Sequence, residues 1–165
     1  AMFWILVFSY WIHLLSTVVW FGSLVLMGLA AWPARQKGVV ADNSWLTLQK
    51  RLTPWANVSL ILLLITGFVQ MTNDANYSGF LAIDGVWAWA MLVKHVAFGL
   101  LAAVTVYLQF SLYPAMDRLA LLAEKRPNLA QAEQTRLSQR EKQFLGLNLA
   151  CAALILLCTA VATAV

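Results

Sequence analysis

The sequence predicts an all-α integral membrane protein, a four-helix bundle in which the helices run up, down, up and down. Two observations carry this prediction. Apolar residues make up 62% of the 165-residue chain and charged residues only 11%, whereas a soluble domain carries about 25% charged residues. The apolar residues are also concentrated in four stretches, each long enough to cross a hydrocarbon core of roughly 30 Å. We therefore expect a single transmembrane domain over residues 1–165.

The four predicted spans are separated by polar loops. Pro33 and Pro114 are expected to end the first and third spans, because proline cannot donate the helical hydrogen bond. The longest loop, residues 117–143, is predicted to form a surface helix with a break at Pro127. The spans themselves cover about residues 2–31, 53–71, 86–113 and 144–165.

The basic residues predict how the chain lies in the membrane. Ten of the eleven lysine and arginine residues follow the first or the third span, and loops rich in these residues stay in the cytoplasm. We therefore expect both chain ends to face outward, in a bacterial inner membrane. The net charge of +4 is then explained by the orientation of the chain in the membrane. We therefore expect membrane lipid, and not nucleic acid, as the partner.

The two halves of the chain share a pattern that indicates two duplicated helical hairpins. His13 precedes Pro33 by 20 residues, and His95 precedes Pro114 by 19. In each of the spans that follow, a basic residue precedes an asparagine by six positions, at Arg51–Asn57 and at Lys142–Asn148. Parallel repeats of this kind are related by a pseudo-twofold axis along the membrane normal. Coincidence among similar apolar helices is the alternative.

Three side chains within the spans can carry a positive charge: His13, Lys94 and His95. Ionisable groups inside a bilayer are costly, so they are candidates for function. His13 follows Trp4 by nine residues and His95 follows Trp87 by eight, so each lies about 12–14 Å below an interfacial tryptophan at 1.5 Å per residue. The two imidazoles are therefore expected at one level, on helices that face each other diagonally.

Two imidazoles at one level can hold a heme iron from both sides, and we predict a b-type heme (heme b) with His13 and His95 as its metal ligands. Small or hydroxyl-bearing residues would make room for the macrocycle and orient the rings. Lys94 is expected either to reach the outer interface or to neutralise a heme propionate. The remaining predicted cofactor contacts are Ser16, Thr17, Trp20 and Gly99.

Two other interpretations of the histidines stay open. The first is a copper site, in which Met91 could join His95, although the five methionines are scattered along the sequence. The second is that each histidine only bonds to a neighbouring helix. Other residues of the spans are predicted to be structural, with asparagines that bond between helices, glycines that allow close packing and cysteines in the core: Asn57, Asn148, Gly22, Gly28, Gly67, Cys151 and Cys158.

Three segments resemble the copper-resistance protein D family (CopD-like membrane domains). They are His13 with Trp20-Phe21-Gly22 seven residues on, Ile65-Thr66-Gly67, and Leu92-Val93-Lys94. This resemblance implies membrane helices and a role in copper handling. A weaker similarity to the flavin-independent, HemJ-type protoporphyrinogen oxidases rests on His13 and Lys94, and it implies oxidation of porphyrin precursors.

The function that we predict from the sequence is a small membrane cytochrome that passes single electrons. It would serve as a subunit of a membrane redox complex, with other redox subunits or a quinone as partners, rather than as a self-standing enzyme. The alternatives are a copper transport or delivery protein, a porphyrinogen oxidase that uses His13 and Lys94, and a non-catalytic structural subunit.

Overall fold

The chain is a bundle of helices. A computed structural model describes residues 2–39, 42–77, 79, 85–123 and 127–165, and every regular element in these ranges is helical. Within these described ranges, four helical segments are long and apolar enough to cross a membrane: Phe3–Gln36, Ser44–Thr72, Val86–Leu119 and Gln131–Ala164. The predicted all-α, four-helix membrane architecture is confirmed.

The first and third membrane segments have the same composite form. In the first, α1 (Met2–Val25) leads through a π-helical turn (Leu26–Ala31) into α2 (Trp32–Gln36). In the third, α4 (Val86–Tyr107) leads through a π-helical turn (Leu108–Leu112) into α5 (Tyr113–Ala123).

Each π-helical turn ends two residues before a proline, Pro33 or Pro114. A proline ring clashes with the carbonyl four residues earlier and offers no N–H. The wider π turn accommodates both defects while the helix continues. The expectation that these prolines would end their helices was therefore wrong.

The second and fourth segments extend well beyond the predicted spans. The second is α3 (Asp42–Thr72), which begins before residue 53, and the fourth is α6 (Pro127–Ala164), which begins before residue 144. Proline is well suited to a helix start; the predicted break at Pro127 adjoins residues 124–126, which lie outside the described ranges. Residues such as Glu141 consequently lie on a helix that enters the bundle and not in a loop.

The helices pack as two hairpins side by side. α1 lies mainly against α3, and α4 mainly against α6, while α1 also contacts α6. α1 and α4 are thus on opposite corners of the bundle. Large apolar side chains on the outside, among them Leu29 and Phe110 at 65% and 78% exposure, present a surface suited to lipid.

The core is layered along the bundle. We call the end that holds residues 3 and 164 the termini end, and the end that holds Arg35 the basic end. The termini-end cluster consists of Met71, Trp87, Ala90 and Ala162. The central cluster consists of Trp20, Leu63, Ala97, Leu101, Cys151, Ala152 and Ile155. Two further apolar clusters, around Trp45 and around Leu112, lie toward the basic end.

Close packing explains one of the three glycines singled out in the sequence. A Cβ at Gly28 would lie 2.6 Å from Leu149 Cδ1, so the absence of a side chain lets the first segment approach α6. A Cβ at Gly67 would be in ordinary contact with His13 Cε1, at 3.7 Å, and a Cβ at Gly22 would meet nothing within 4 Å. The prediction is confirmed for Gly28 and wrong for Gly22.

Candidate metal centre

His13 is held by the neighbouring helix α3. Its Nδ1 lies 2.7 Å from Thr66 Oγ1, and the Thr66 hydroxyl donates its own proton to the carbonyl of Leu62, at 2.6 Å. The hydroxyl can therefore only accept from His13, which places the ring proton on Nδ1. A neutral ring then carries its lone pair on Nε2, a common metal-binding nitrogen of histidine.

His95 is held by its own helix. Its Nδ1 lies 2.6 Å from the carbonyl oxygen of Met91. A carbonyl can only accept a hydrogen bond, so Nδ1 of His95 carries a proton as well. Donation from one ring nitrogen to a carbonyl or hydroxyl is the usual outer-shell arrangement of a metal-ligating histidine. Both histidines thus donate from Nδ1 to an oxygen acceptor.

The two imidazoles approach α3 at nearly the same level. His13 contacts Thr66, and the ring of His95 lies 6.1 Å from the ring of Phe68. Two residues along a helix correspond to about 3 Å of rise. The two histidines predicted to share a level therefore lie beside positions 66 and 68 of α3, His13 from α1 and His95 from α4.

Two methionines belong to or pack against the termini-end cluster, which continues along the face of α4 toward His95. Met71, at the end of α3, and Trp87, at the start of α4, are both 7% exposed and belong to the termini-end cluster, and Met91 packs against this cluster. Trp87, Met91 and His95 follow one another at intervals of four residues, so they lie along one face of α4. Residues 71 and 91 are distant in sequence, yet both belong to or pack against this one cluster.

Lys94 lies between three helices. It is half-buried, and its ammonium group interacts electrostatically with His13 on α1 and with Cys158 on α6. Cys158 and Cys151 are buried free thiols, as predicted. Lys94 thus brings a positive charge to the same region as the first histidine.

The other predicted cofactor contacts fall into different environments. Ser16 is buried, and Thr17 donates to the carbonyl of His13 at 2.8 Å. Trp20 is part of the central cluster, which fills the bundle on the basic-end side of the histidines. Gly99 is exposed, and a Cβ there would meet nothing within 4 Å. The structure therefore places Thr17 next to His13, and Gly99 on the outer surface of α4.

A second polar centre, at the basic end, was missed by the sequence analysis. Glu141 on α6 is fully buried, and its Oε2 accepts from Arg35 Nη1 at 2.9 Å. Its Oε1 accepts from Trp45 Nε1 at 3.1 Å and from Gln49 Nε2 at 2.7 Å. The guanidinium of Arg35 also lies over the Trp45 ring, 5.4 Å from its centroid. This cluster joins the first, second and fourth membrane segments.

The two predicted interhelical asparagines are confirmed. Asn57 and Gln109 exchange two amide hydrogen bonds, of 2.9 and 2.8 Å, which connect α3 to the third membrane segment. Asn148 on α6 donates to Thr105 Oγ1 on α4 at 3.4 Å.

A hard or borderline metal would need several histidine, cysteine or carboxylate ligands. Within the described ranges, no group of three or more such residues is placed to hold a metal ion. A zinc site of three or four such ligands is thus not formed by the described residues. Histidine combined with methionine thioethers, in contrast, suits a soft ion.

Comparison with known proteins identifies the family. The family model described as copper resistance protein D matches residues 46–162, from α3 to α6. Lys94 and His95 fall inside this range, whereas His13 and the first-segment motif noted in the sequence precede it. No curated protein and no solved structure matches the chain. Because the matched range takes up well over half of the 165 residues, the chain belongs to the copper resistance protein D family of integral membrane proteins.

Proposed function

We propose that this protein takes a copper ion as its cargo, for transport or delivery, and binds it in the half of the bundle nearest the termini end. One observation carries the proposal. The turn from Met91 to His95 fixes the imidazole through its Nδ1, while the Met91 side chain packs against the cluster of Met71 and Trp87. Imidazole and thioether are thus presented together.

The ligand set favours the cuprous ion. Thioethers are soft, neutral ligands that select Cu(I). The face of an indole ring attracts a cation, so Trp87 can add to the binding without a charged ligand. A monovalent ion bound by neutral groups also avoids burying carboxylates in the bilayer, where charged side chains are costly.

His13 provides a second station at the same level. Its ring is fixed by Thr66 from the neighbouring helix, and Lys94 lies within electrostatic reach. A positive charge beside His13 opposes a second cation, so copper at this ring would be held less tightly than copper at His95. A weaker binding station beside a tighter one allows a bound ion to be passed on.

We further propose that the basic end faces the cytoplasm, as the distribution of lysine and arginine favours. The methionines and His95 would then lie toward the outer face of the inner membrane. Copper would enter the bundle from that side.

The test is Cu(I) affinity of the purified protein in lipid nanodiscs, measured by competition with a chromophoric Cu(I) chelator. We expect at least a tenfold loss of affinity for His95→Ala, and a comparable loss for Met71→Leu combined with Met91→Leu. Leucine keeps the volume and apolar character of methionine, so packing is largely conserved. Met116→Leu is the matched control, since Met116 (8% exposed) is buried to the same degree as Met71 (7%) but belongs to a different cluster. Unchanged affinity in the double methionine variant would refute this site.

Thr66→Val examines the role of His13 separately. Valine cannot accept the Nδ1 hydrogen bond, and loss of an outer-shell partner of this kind costs about 10–100-fold in metal affinity. If His13 is a second station, Thr66→Val should weaken only the lower-affinity step of a two-step titration. A change in the tighter step instead would assign Thr66 to the His95 site.

Heme b remains a second candidate, because the two imidazoles lie at one level beside Thr66 and Phe68. With a bound heme the protein would transfer electrons, and its partners would be other redox subunits or a quinone. The visible absorption spectrum decides between the two functions. A reduced b-type spectrum that disappears in both His13→Ala and His95→Ala would replace the copper proposal by a bis-histidine cytochrome.

A further inference from the structure

A cavity of about 70 Å³ lies between the four membrane segments, on the basic-end side of the central cluster. Trp20 belongs both to its wall and to that cluster, so the cavity and the histidines lie on opposite sides of an apolar layer. Polar side chains line part of the wall: Gln49, Thr53, Thr105, Gln109, Tyr113 and Asn148.

Asn148 gives this cavity its polarity. The residue is 2% exposed, and its Nδ2 donates to Thr105 Oγ1 at 3.4 Å. Its Oδ1 is buried without a hydrogen-bond partner among the described residues. Leaving a buried carbonyl oxygen unpaired is costly, so a donor from outside the protein is expected at this atom.

The size and chemistry of the cavity identify that donor as water. A buried water molecule needs a cavity volume of about 10–15 Å³ and 2–4 polar partners. The cavity of about 70 Å³ therefore has room for several water molecules. All the described wall residues are neutral, and their polar atoms are amides and hydroxyls. Met27 is the one soft ligand among them, so the cavity lacks the ligand set of a copper site.

The cavity also adjoins the buried charges at the basic end. Gln49 lines the cavity and donates to Glu141 at 2.7 Å, and Glu141 is paired with Arg35. Asn57, which bonds to Gln109 of the wall, extends the polar network toward α3. Polar groups thus continue from the cavity to a charged pair near the end of the bundle.

We propose that this cavity binds a cluster of ordered water molecules, anchored on Asn148 Oδ1 and linked through Gln49 to the Arg35–Glu141 pair. The bundle then has a hydrated chamber at its basic end and a dry layer around Trp20 that separates it from the histidines. This inference does not depend on which metal or cofactor the histidines hold.

X-ray hydroxyl-radical footprinting of the full chain in nanodiscs tests the proposal. Radiolysis of bound water produces radicals in place, so neighbouring side chains are oxidised even when a scavenger removes radicals from bulk solvent. Met27 lines the cavity and is 8% exposed, whereas Met116 is also 8% exposed but is not part of the wall. We expect scavenger-resistant oxidation of Met27 at least tenfold faster than that of Met116. Equal rates in the wild-type protein would show a dry cavity and overturn the proposal.

Asn148→Leu then tests the anchor. Leucine removes the unpaired oxygen and fills part of the cavity, so oxidation of Met27 should fall to the rate of Met116 while Cu(I) affinity stays unchanged. Thr105→Val is a milder variant for the case in which Asn148→Leu does not fold, and it should reduce the Met27 rate in part. An unchanged Met27 rate in a folded Asn148→Leu variant would refute the role of Asn148.

Discussion

Replacing Glu141 by glutamine removes one buried charge while keeping the shape of the side chain. The glutamine carbonyl can still accept from Trp45 and Gln49, the two partners of Oε1. Its amide group, however, faces the guanidinium of Arg35, which is only 12% exposed. Two donors then oppose each other, and the arginine charge stays buried without its carboxylate.

The magnitude follows from these contacts. Loss of one hydrogen bond to a charged group costs about 1.5–3 kcal/mol, and breaking a buried ion pair by removing one partner costs about 3–5 kcal/mol in total. We expect Glu141→Gln to lower the free energy of unfolding by about 3–5 kcal/mol.

Reversible unfolding in mixed micelles of dodecyl maltoside and dodecyl sulfate measures this loss. The matched control is Asp117→Asn, because the Lys50–Asp117 pair is exposed on both sides (70% and 43%) and longer, at 3.7 Å. Exposed pairs contribute about 0.2–1 kcal/mol. If Glu141→Gln costs no more than Asp117→Asn, the cluster around Glu141 does not hold the three segments together.

Two further predictions concern packing and topology. Gly28→Leu should destabilise the bundle by about 1–3 kcal/mol, the usual cost of overpacking, because its Cβ would lie 2.6 Å from Leu149 Cδ1. Gly22→Leu is the control and should not destabilise the bundle, because a Cβ at Gly22 would meet nothing within 4 Å. In a thermal unfolding assay, adding Leu149→Ala should restore part of the stability that Gly28→Leu removes. Cysteines introduced at the exposed positions Ser44 and Asn76 should react with a membrane-impermeant maleimide only from the cytoplasmic side and only from the outer side, respectively. Reversed labelling would invert the proposed orientation.

The sequence was sufficient for the architecture because hydrophobic length alone selects membrane helices. It was insufficient for the helix ends. Pro33 looks like a stop signal, but the π-helical turn before it lets the helix continue. Glu141, in a stretch of mixed charges, looks like a loop residue, yet α6 carries it into the bundle. Local polarity could not reveal this, since its compensating partners, Arg35 among them, are about a hundred residues away.

The sequence also predicted only part of the candidate site, because some of its contacts join residues that are distant in the sequence. His13, Lys94 and His95 are recognisable because ionisable residues are rare inside spans. The partner of His13 is on another helix, so its identity depends on register between α1 and α3. In the sequence, Thr66 was noticeable only as part of a segment that resembles a family motif, and nothing there indicated that it contacts His13. That Met71 belongs to the cluster against which Met91 packs depends on how α3 and α4 adjoin, which no spacing along the chain provides.

The resemblance between the two halves bears on what the site can hold. Each π-helical turn begins thirteen residues after its histidine, at Leu26 and at Leu108, which favours a common origin for the two hairpins. The surroundings of the two histidines have nevertheless become different. Four residues before His13 the chain has Ser9, which donates to the carbonyl of Thr66; four residues before His95 it has Met91.

A group on the pseudo-twofold axis must meet equivalent residues from both halves. A bis-histidine heme requires little more than two such rings, and it gives no reason for a thioether one turn before one ring and a hydroxyl one turn before the other. An ion that passes from one station to the next requires unequal stations. The divergence around His13 and His95 therefore favours a cargo over a symmetric cofactor, and restoring symmetry offers a direct check: Met91→Ser should abolish the tighter Cu(I) step while leaving the weaker one in place.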